Sequence, residues 1–402
     1  MRPSIVILGA GYAGLLCAIE ARKRLGTEEA SITLVNKHHY HQLITQLHES
    51  AAGARSDRSV RISLSSILNG KDITLVKGVV QKIDTENHAV LLDHNKSLSY
   101  DYLVVALGSD TEYFNIPGLK EHAFTLKSVN QARLIRTHIE SCFARYPYEQ
   151  RPELLRFVVG GAGFSGIELV GELADALPKY AADAGIDVSR IQLYNIEAAP
   201  GILPGFDQPL VEAAQRSLET RGVKFLTGQP IVKVENGIVH LQNGESIFAG
   251  TIIWTGGVRG NQLVIDAGFD TEPRGRAKVN EFLQSPQSPK VYMIGDCAFV
   301  IGENGRPLPP TAQLAWQMGI TAGNYLYHDI KGGTKSAFIP HIVGSVASLG
   351  RKDAVGKVLK SYRMYGKMAY MAKEAGNIRY LTKIGALFKN EPFSSTLTNI
   401  SK

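Results

Sequence analysis

A glycine pattern that occurs twice constrains this chain more than any other feature. The first copy, GAGYAG, spans residues 9–14 and follows the apolar run SIVIL at 4–8; the second, GAGFSG, spans residues 161–166 and follows RFVVG. An apolar-periodic helix and a further strand come after each copy, with the strands at 31–35 and 191–197. A GxGxxG sequence between a strand and a helix is the fingerprint of a dinucleotide-binding unit. We therefore predict an α/β protein with two Rossmann-like dinucleotide-binding domains.

The three glycines of such a fingerprint have different tasks. Gly9 allows the tight turn, Gly11 lets a pyrophosphate approach the backbone, and Gly14 allows close packing of the helix on the strand. The matching glycines of the second copy are Gly161, Gly163 and Gly166. In both copies the phosphates are expected at the positive end of the following helix. Two complete units in one chain predict two bound nucleotides.

The end of the second strand in each unit is expected to hold the adenosine ribose, commonly through an acidic side chain. Glu197 stands at this place in the second unit. A carboxylate there accepts hydrogen bonds from the ribose and repels a 2′-phosphate, which favours NADH over NADPH. The first unit has Asn36 and Lys37 instead. Asn36 can still hydrogen-bond a ribose, although the acidic signature is missing.

Three further segments read as apolar strands that end in glycine turns. They are SYDYLVVALGSD at 99–110, TIIWTGGVRGN at 251–261 and KVYMIGDCA at 290–298. After the third, PLPPTAQLAWQMG at 307–319 reads as a helix entered through Pro309-Pro310-Thr311, with Ala312 and Gln313 in its first turn.

The three cysteines, Cys17, Cys142 and Cys297, form no CxxC pair, which argues against a disulfide framework and a zinc knuckle. No signal peptide fits the N-terminus, and no run of 18 or more apolar residues is present to span a bilayer. The histidines of residues 38–48 match no standard metal-ligand spacing, so we expect no metal and interpret them as a surface loop.

With GAGYAG, VVALGS, GGAGFSGIE, WTGGVRGN, MIGDC and AQLAWQ in this order, the chain resembles the two-dinucleotide-binding-domain flavoproteins. Its likeness is greatest to the type II NADH:quinone oxidoreductases, the single-subunit, non-proton-pumping respiratory dehydrogenases. The resemblance implies oxidation of NADH and reduction of a membrane quinone to quinol through FAD. It also implies an FAD-binding domain in two parts, 1–115 and 263–330, an NADH-binding domain, 116–262, and a C-terminal membrane-associating region, 331–402.

The same resemblance assigns the site residues. FAD would be held by Gly9, Gly11, Gly14, Asn36, Lys37, Gly108, Asp296, Ala312 and Gln313, and NADH by Gly161, Gly163, Gly166, Glu168, Glu197 and Gly257. Asp296 would hold the flavin ribityl chain, and Gln317 would line the quinone site. Backbone N–H groups at the start of a helix also favour an anionic reduced flavin on physical grounds.

Glu168 and Glu172 are four residues apart and share one face of the helix that follows the second glycine pattern. The resemblance places Glu172 near the junction of nicotinamide, flavin and quinone, where it would relay a proton. The pair could instead complement the dipole of the helix.

Three other functions stay open at this point. A sulfide:quinone oxidoreductase would have a similar overall pattern but needs paired cysteines flanking the flavin, and Cys142 and Cys297 do not provide them. A soluble NADH-dependent reductase of a protein acceptor would need neither membrane nor quinone. A nucleotide-binding membrane adaptor would be no enzyme at all.

The net charge of +7 comes from one end of the chain. Residues 351–402 hold 11 Lys and Arg against 3 Asp and Glu, whereas residues 1–350 hold 33 against 34. The apolar residues of 355–372 fall at helical spacing, with Lys357, Lys360, Arg363 and Lys367 on the opposite side. The stripe consists of Val355, Val358, Leu359, Tyr362, Tyr365, Ala369 and Ala372, and Met364, Met368 and Met371 flank it.

This pattern predicts an amphipathic helix that lies on an anionic membrane surface. Packing on the protein's own core, or a homodimer interface, is the alternative. No nucleic-acid motif accompanies the charge, so no nucleic acid is expected. We expect a peripheral protein on the cytoplasmic side of the cell membrane, and a core that transfers electrons even when the chain is cut before Val355.

Overall fold

The computed structural model describes residues 2–302, 305–359 and 361–387. They form ten α-helices: α1 (Tyr12–Arg24), α2 (Leu47–Ala51), α3 (Leu64–Leu68), α4 (Leu119–His122), α5 (Val129–Glu149), α6 (Phe164–Asp183), α7 (Gln208–Glu219), α8 (Gln262–Asp266), α9 (Ala312–Lys331) and α10 (Gly366–Lys383). Two parallel sheets carry most of these helices.

The first sheet has six strands in the spatial order Gln284–Ser285, Ser288–Met293, Tyr102–Val105, Ser4–Leu8, Ser31–Asn36 and Thr74–Lys77. All its neighbours are parallel except the edge pair at 284–293. The second sheet has five parallel strands, in the order Phe124–Thr125, Thr251–Trp254, Arg156–Gly160, Gln192–Glu197 and Val223–Thr227. The inner strands read as continuous apolar runs because helices cover both faces of a parallel sheet. An α/β fold with two dinucleotide-binding units is thus confirmed.

The other described strands form smaller sheets. Three of them have three antiparallel strands each: Val80–Asp84, Ala89–Leu92 and Ser97–Ser99; Ile231–Glu235, Ile238–Leu241 and Ser246–Phe248; Gly344–Ser348, Ala354–Val358 and Tyr362–Tyr365. Strand pairs join Tyr40–Gln42 to Arg61–Ser63, Ser109–Thr111 to Val258–Gly260, and Ala277–Lys278 to Ala298–Phe299. The strand pair at 109–111 and 258–260 joins two segments of the chain. One follows strand Tyr102–Val105 of the first sheet, and the other follows strand Thr251–Trp254 of the second.

Helices α1 and α9 pack in backbone contact. A Cβ atom on Gly319 would overlap the carbonyl oxygen of Ala13, and one on Gly323 would lie 2.8 Å from that of Cys17. Both glycines lie in the interior of α9, where glycine disfavours helix formation, so close approach is the physical reason for them. This packing brings the first turn of α9 close to the first glycine loop.

The C-terminal region differs from the expected amphipathic helix. Residues 354–358 and 362–365 are strands of an antiparallel sheet, and α10 begins only at Gly366. The prediction of one helix across 355–372 was wrong because β-branched and aromatic residues favour strands. Gly356 pairs with Val346 in this sheet, and a Cβ atom there would lie 2.6 Å from Val346 Cγ2, so the close approach of the two strands requires glycine. The expected basic residue Lys360 and residues 388–402 lie outside the described residues.

The expected stripe is accordingly split between core and surface. Val355 and Ala369 are buried, whereas Leu359, Tyr362 and Tyr365 are exposed. The second half of α10 joins the main core through Tyr380 and Leu381. This packing argues against the expectation that a chain cut before Val355 keeps an intact core. None of the described helices is long and apolar enough to cross a membrane.

Candidate functional site

The two glycine loops have the same geometry. Gly9 and Gly161 adopt φ values of +98° and +97°, a conformation that suits only glycine. A Cβ atom on Gly14 would overlap the carbonyl oxygen of Gly9, and Gly166 stands in the same relation to Gly161. The tight turns and the close packing predicted for these glycines are therefore present in both loops.

The middle glycines of the two loops have open surroundings. Nothing lies within 4 Å of a Cβ atom placed on Gly11 or on Gly163. Both residues precede the first turn of a helix, α1 or α6, as N-cap residues. Each loop therefore has space beside a helix N-terminus, which is the arrangement that binds phosphate groups.

In this structure, the two residues expected to hold the ribose accept hydrogen bonds from the backbone of the glycine loops. Asn36 Oδ1 accepts a hydrogen bond from the Ala10 N–H at 3.0 Å, and Glu197 Oε2 accepts one from the Ala162 N–H at 2.6 Å. The Asn36 amide also donates to the carbonyl oxygen of His38 at 2.9 Å. Asn36 and Glu197 thus occupy equivalent positions, although only Glu197 adds a charge.

Asp296 lies at the end of a short polar chain. Ser109 Oγ donates to Asp296 Oδ2 at 3.2 Å, and Lys127 Nζ donates to Ser109 Oγ at 2.7 Å. Burial lowers the pKa of Lys127, while Asp296 and Asp110 oppose that shift. Sequence reasoning missed Lys127 because it lies in an irregular segment far from any motif, and only the fold brings it to Asp296.

The first turn of α9 is capped and half-exposed. Thr311 Oγ1 accepts a hydrogen bond from the Leu314 N–H at 3.2 Å, and both Ala312 and Gln313 are half-buried. A shallow pocket lies between this turn and the 295–300 segment, lined by Asp296, Thr311 and Ala315 among others. Backbone N–H groups at this helix start are therefore near Asp296, as the motif order predicts.

Gln317 holds a neighbouring segment. Its Nε2 donates to the carbonyl oxygen of His341 at 3.0 Å, and its Oε1 accepts from the His341 N–H at 2.8 Å. Gln317 Nε2 also donates to the Gln313 carbonyl oxygen at 3.1 Å. Met318, on the other side of the helix, is buried, and its sulfur accepts from the Gly295 N–H at 3.2 Å. The two side chains therefore serve different faces of α9.

The remaining expected site residues lie in turns. Gly108 adopts a φ of +75° with open space around it, and Gly257 would place a Cβ atom 3.0 Å from the ring of Phe114. Lys37 is exposed.

Glu172 is buried on α6 beside a cavity of about 320 Å³. The cavity is lined by Glu49, Ala52, Gly53, Ala54, Glu172, Asp175, Ala176, Lys179, Tyr180, Asp183, Arg351 and Tyr370. Because Lys179 and Asp183 are exposed, the cavity has a solvent-facing rim. Burial, followed by the neighbouring charge of Glu49, raises the pKa of Glu172 to about 8. Glu172 can therefore hold or release a proton near neutral pH.

Glu168 has a different environment from the one expected of an NADH-binding residue. Its carboxylate accepts hydrogen bonds from Lys373 Nζ at 2.6 Å and from the Ser348 N–H at 3.2 Å. His48 Nδ1 lies 3.6 Å from the same carboxylate. Within the described parts of the chain, these contacts tie α6 to the C-terminal region rather than to the glycine loop.

The histidine loop is not the surface loop expected from the sequence. His41 and His48 are buried, and burial lowers the pKa of both. Nothing in the sequence indicated this burial, because their partners, Tyr380, Ser348 and Lys373, are 300 or more residues away. The described residues contain no group of side chains that could hold a metal ion.

Comparisons with known proteins fit this geometry. Residues 3–319 match the family described as pyridine nucleotide-disulphide oxidoreductase. A type II NADH:quinone oxidoreductase of Staphylococcus aureus (strain MSSA476) is 38% identical over 393 residues, covering 96% of this chain and 97% of the relative. The chain belongs to the type II NADH:quinone oxidoreductases. The reaction in the family's name, oxidation of NADH with reduction of a quinone, makes it an oxidoreductase.

Solved structures share the fold. NDH2 of Plasmodium falciparum, in complex with NADH, matches with a TM-score of 0.88 at 18% identity, over 100% of this chain and 98% of that one. The sulfide:quinone oxidoreductase of Aquifex aeolicus matches with a TM-score of 0.79, also at 18% identity, over 100% and 93%. Both likenesses concern the fold alone, and the three cysteines of this chain are buried and free.

Proposed function

We propose that this chain binds FAD at the first glycine loop and NADH at the second, and that it reduces a membrane quinone to quinol without pumping protons. The observation that carries the proposal is the pair of equivalent loops, each with an open middle glycine at a helix N-terminus. When bound, FAD supplies the redox chemistry by accepting a hydride from NADH and passing two electrons to the quinone. The chain itself binds, orients and provides protons.

The residues present fit FAD. The open space at Gly11 admits a pyrophosphate, and the capped start of α9 offers N–H groups beside Asp296. The proposed FAD site comprises Gly9, Gly11, Gly14, Asn36, Lys37, Gly108, Asp296, Ala312 and Gln313. Its contributing segments, 1–115 and 263–330, supply all six strands of the first sheet.

NADH is proposed to occupy the second loop, in a domain of residues 116–262. The five strands of the second sheet all lie within that range. The proposed site comprises Gly161, Gly163, Gly166, Glu197 and Gly257. Glu168 stays a further predicted member of this site, and its carboxylate accepts hydrogen bonds from Lys373 Nζ and the Ser348 N–H. Glu197 would accept the ribose hydroxyls and exclude a 2′-phosphate.

Glu172 and Gln317 are proposed to act in the quinone half of the reaction. The raised pKa of Glu172 suits a proton relay, and its cavity leads to solvent. Gln317 holds the His341 segment, which lies next to exposed Ile339 and Ile342. An exposed apolar segment beside Gln317 is where a lipid-soluble quinone would approach.

The C-terminal region, 331–402, is proposed to bind an anionic membrane surface on the cytoplasmic side. We define the C-terminal apolar surface as the exposed side chains Ile339, Ile342, Leu359, Tyr362, Tyr365, Met368 and Met371. The Leu359 N–H donates to the Val343 carbonyl oxygen at 2.9 Å, which brings both halves of this surface together. Exposed Lys367 can add attraction, whereas Lys357 and Arg363 bind Asp207 instead.

One experiment tests the reaction. The purified protein should be yellow, lose its colour with NADH under anaerobic conditions, and regain it with a short-chain quinone. A protein that stays colourless after FAD addition would favour the adaptor. A yellow protein that quinones do not reoxidise would favour a reductase of a protein acceptor.

A second experiment separates the half-reactions. Gln317→Ala should slow quinone-dependent turnover and leave the NADH-dependent loss of colour nearly unchanged in stopped flow. Equal slowing of both would assign Gln317 to the nicotinamide side or to the fold.

A third experiment tests the membrane surface. Leu359→Glu with Met368→Glu should reduce co-sedimentation with anionic liposomes, and high salt should weaken what remains because it screens the charges. Leu134→Glu is the matched control, since Leu134 is exposed on α5, outside the C-terminal region. Equal sedimentation of both variants would contradict the membrane assignment. A homodimer stays a prediction, which a molar-mass measurement in detergent solution checks.

A further inference from the structure

The second half of α10 packs directly on the first glycine loop. Tyr380 is buried, and its ring stacks on Tyr12 with the ring centroids 4.2 Å apart. Tyr12 is the fourth residue of GAGYAG, so the loop that we assign to FAD is covered by a helix from the far end of the chain. No sequence motif indicates this contact.

A histidine connects Tyr380 to the loop backbone. The Tyr380 hydroxyl lies 3.0 Å from His41 Nε2, and His41 Nδ1 lies 2.8 Å from the Ala10 carbonyl oxygen. A carbonyl oxygen can only accept, so Nδ1 carries the proton. In the neutral ring Nε2 then accepts, and the Tyr380 hydroxyl donates to it. Burial lowers the pKa of His41 to about 4, which keeps this neutral form near pH 7.

This relay fixes one peptide plane of the loop. The carbonyl of Ala10 and the N–H of Gly11 belong to the same trans peptide and point in opposite directions. Holding the carbonyl oxygen on His41 therefore directs the Gly11 N–H away from His41. N–H groups at the start of a helix are the donors that bind a pyrophosphate.

Helix α10 also holds α9. The guanidinium of Arg379 lies 5.5 Å from the ring centre of Trp316, and Lys383 Nζ lies 4.9 Å from it. Trp316 is one turn after the Ala312–Gln313 start of α9. The same stretch of α10 thus contacts both elements of the proposed FAD site.

We propose that Tyr380 is a positioning residue for FAD: through His41 it fixes the peptide between Ala10 and Gly11, and by stacking on Tyr12 it holds the first glycine loop. The inference rests on the proposed placement of FAD at that loop. Since α10 begins at the C-terminal apolar surface and ends at Tyr380 and Lys383, one helix joins the proposed membrane contact to the flavin site.

The test compares two substitutions at Tyr380. Tyr380→Phe keeps the stacked ring and removes the hydroxyl, so the Kd for FAD should rise about 3- to 10-fold, as expected for one uncharged hydrogen bond. Tyr380→Ala removes the stacking as well and should raise Kd by a further factor of about 3 to 10. Kd is measured by titrating FAD into the apoprotein and following flavin fluorescence. Tyr148→Phe, at an exposed tyrosine of α5, is the control and should leave Kd unchanged.

Two further measurements distinguish positioning from general destabilisation. The Tyr380→Phe apoprotein should show only a small loss of Tm, because His41 Nε2 loses one buried hydrogen bond. Its affinity for ADP-ribose at the second loop should match that of the unmodified protein, while the visible absorption band of bound flavin shifts. Unchanged FAD affinity in both Tyr380 variants would overturn the inference. Parallel losses of FAD and ADP-ribose affinity would overturn it too, because they would indicate a purely structural role.

A separate variant tests the assumption beneath the inference. Gly11→Val should abolish FAD binding if the flavin lies at the first loop. Should Gly11→Val bind FAD normally, the placement of FAD fails, and the inference fails with it. Loss of FAD in Gly11→Val together with normal binding in both Tyr380 variants would reject the role of Tyr380 alone.

Discussion

The first and second glycine loops have the same backbone geometry but are supported in different ways. In the second loop, the carbonyl oxygen of Ala162 accepts a hydrogen bond from the Leu203 N–H at 2.8 Å, within the same domain. In the first loop, the equivalent oxygen, on Ala10, is held by His41. The aromatic residues that follow also differ: Tyr12 is buried under Tyr380, whereas Phe164 is 37% exposed and packs only edge-on to Phe206.

This difference matches the tasks that we propose for the two loops. A flavin that stays bound through many turnovers needs a covered site, while a nicotinamide cofactor that enters and leaves needs an open one. The covering helix comes from the C-terminal region, so the difference between the two loops arises from residues outside the glycine pattern. The sequences of the two loops by themselves do not indicate which bound nucleotide leaves after each turnover.

The largest effects are expected at the middle glycines. Gly11→Val should weaken FAD binding at least ~100-fold, because the side chain would enter the space in which the pyrophosphate lies. Gly163→Val should keep the yellow colour and raise KM for NADH. Both variants should fold, since neither Cβ meets an atom within 4 Å. Titration of FAD and steady-state kinetics check the pair, and normal binding of both nucleotides by both variants would refute the site assignments.

Asn36 and Glu197, the two residues expected to hold the ribose, should respond differently when the charge of their side chains is changed. Asn36→Asp should lower the free energy of unfolding of the apoprotein by about 1–3 kcal/mol, because the Asn36 amide donates to the carbonyl oxygens of His38 and Tyr40 and a carboxylate cannot. This donation explains why the acidic signature is missing from the first loop. Chemical denaturation measures the effect, with Asn236→Asp in an exposed turn as a control. An unchanged stability would mean that the amide bonds do not matter.

Glu197 should set the preference between the cofactors. The unmodified protein should favour NADH over NADPH by at least ~1.4 kcal/mol, tenfold in kcat/KM, and Glu197→Gln should narrow the gap. The Gln side-chain oxygen can still accept from the Ala162 N–H, but the bond from the Ala199 N–H to the other carboxylate oxygen, 2.9 Å in this structure, is lost, so the Tm of the variant is measured alongside. Equal kcat/KM values for NADH and NADPH in the unmodified protein would reject this role.

The helices after the two loops differ at a matched position, eleven residues beyond the first loop glycine. Glu20 on α1 pairs with Arg24 at the surface, whereas Glu172 on α6 is buried, with a pKa of about 8. Glu172 is protonated below that pH, so quinone-limited turnover should fall as pH rises through about 8. Glu172→Gln should be slow and lack this step, and Glu20→Gln should keep it. A profile in Glu172→Gln that retains the step would assign it to another group.

The raised pKa of Glu172 also makes the stability of the protein depend on pH. An unfolded glutamate has a pKa near 4.5, so between that value and about 8 the folded protein binds a proton that the unfolded chain has lost. The contribution of Glu172 to stability is therefore complete at low pH and diminishes as pH rises through this window. The charges of Glu49, Lys373, Asp175 and Arg55 act on the same carboxyl group and contribute to its pKa. Glu172→Gln should flatten the decline in denaturation experiments between about pH 5 and pH 8.

Sequence reasoning succeeded where a residue's task is local. The strand, turn and helix around each glycine loop, and the start of α9 after Thr311, follow from contacts within a few residues. It failed for residues 355–372, where apolar spacing fits a helix and the observed strands are stabilised by pairing with residues 344–348. It did not foresee the burial of His41 or the contact of Glu168 with Lys373, because these partners lie at the other end of the chain.

By itself, the sequence determined that this protein has two dinucleotide-binding units and a positively charged end, because both depend on residue identity over short distances. The tertiary structure decided which of the two glycine loops is covered by a helix. It also decided which basic side chains of the C-terminal region bind acidic residues of the protein. Lys373 is bound to Glu168, with 10% of its side chain exposed, and Tyr380 reaches the loop at Tyr12. The physical reason is that these contacts join residues more than 200 positions apart in the sequence. They form only when α10 packs against the rest of the fold.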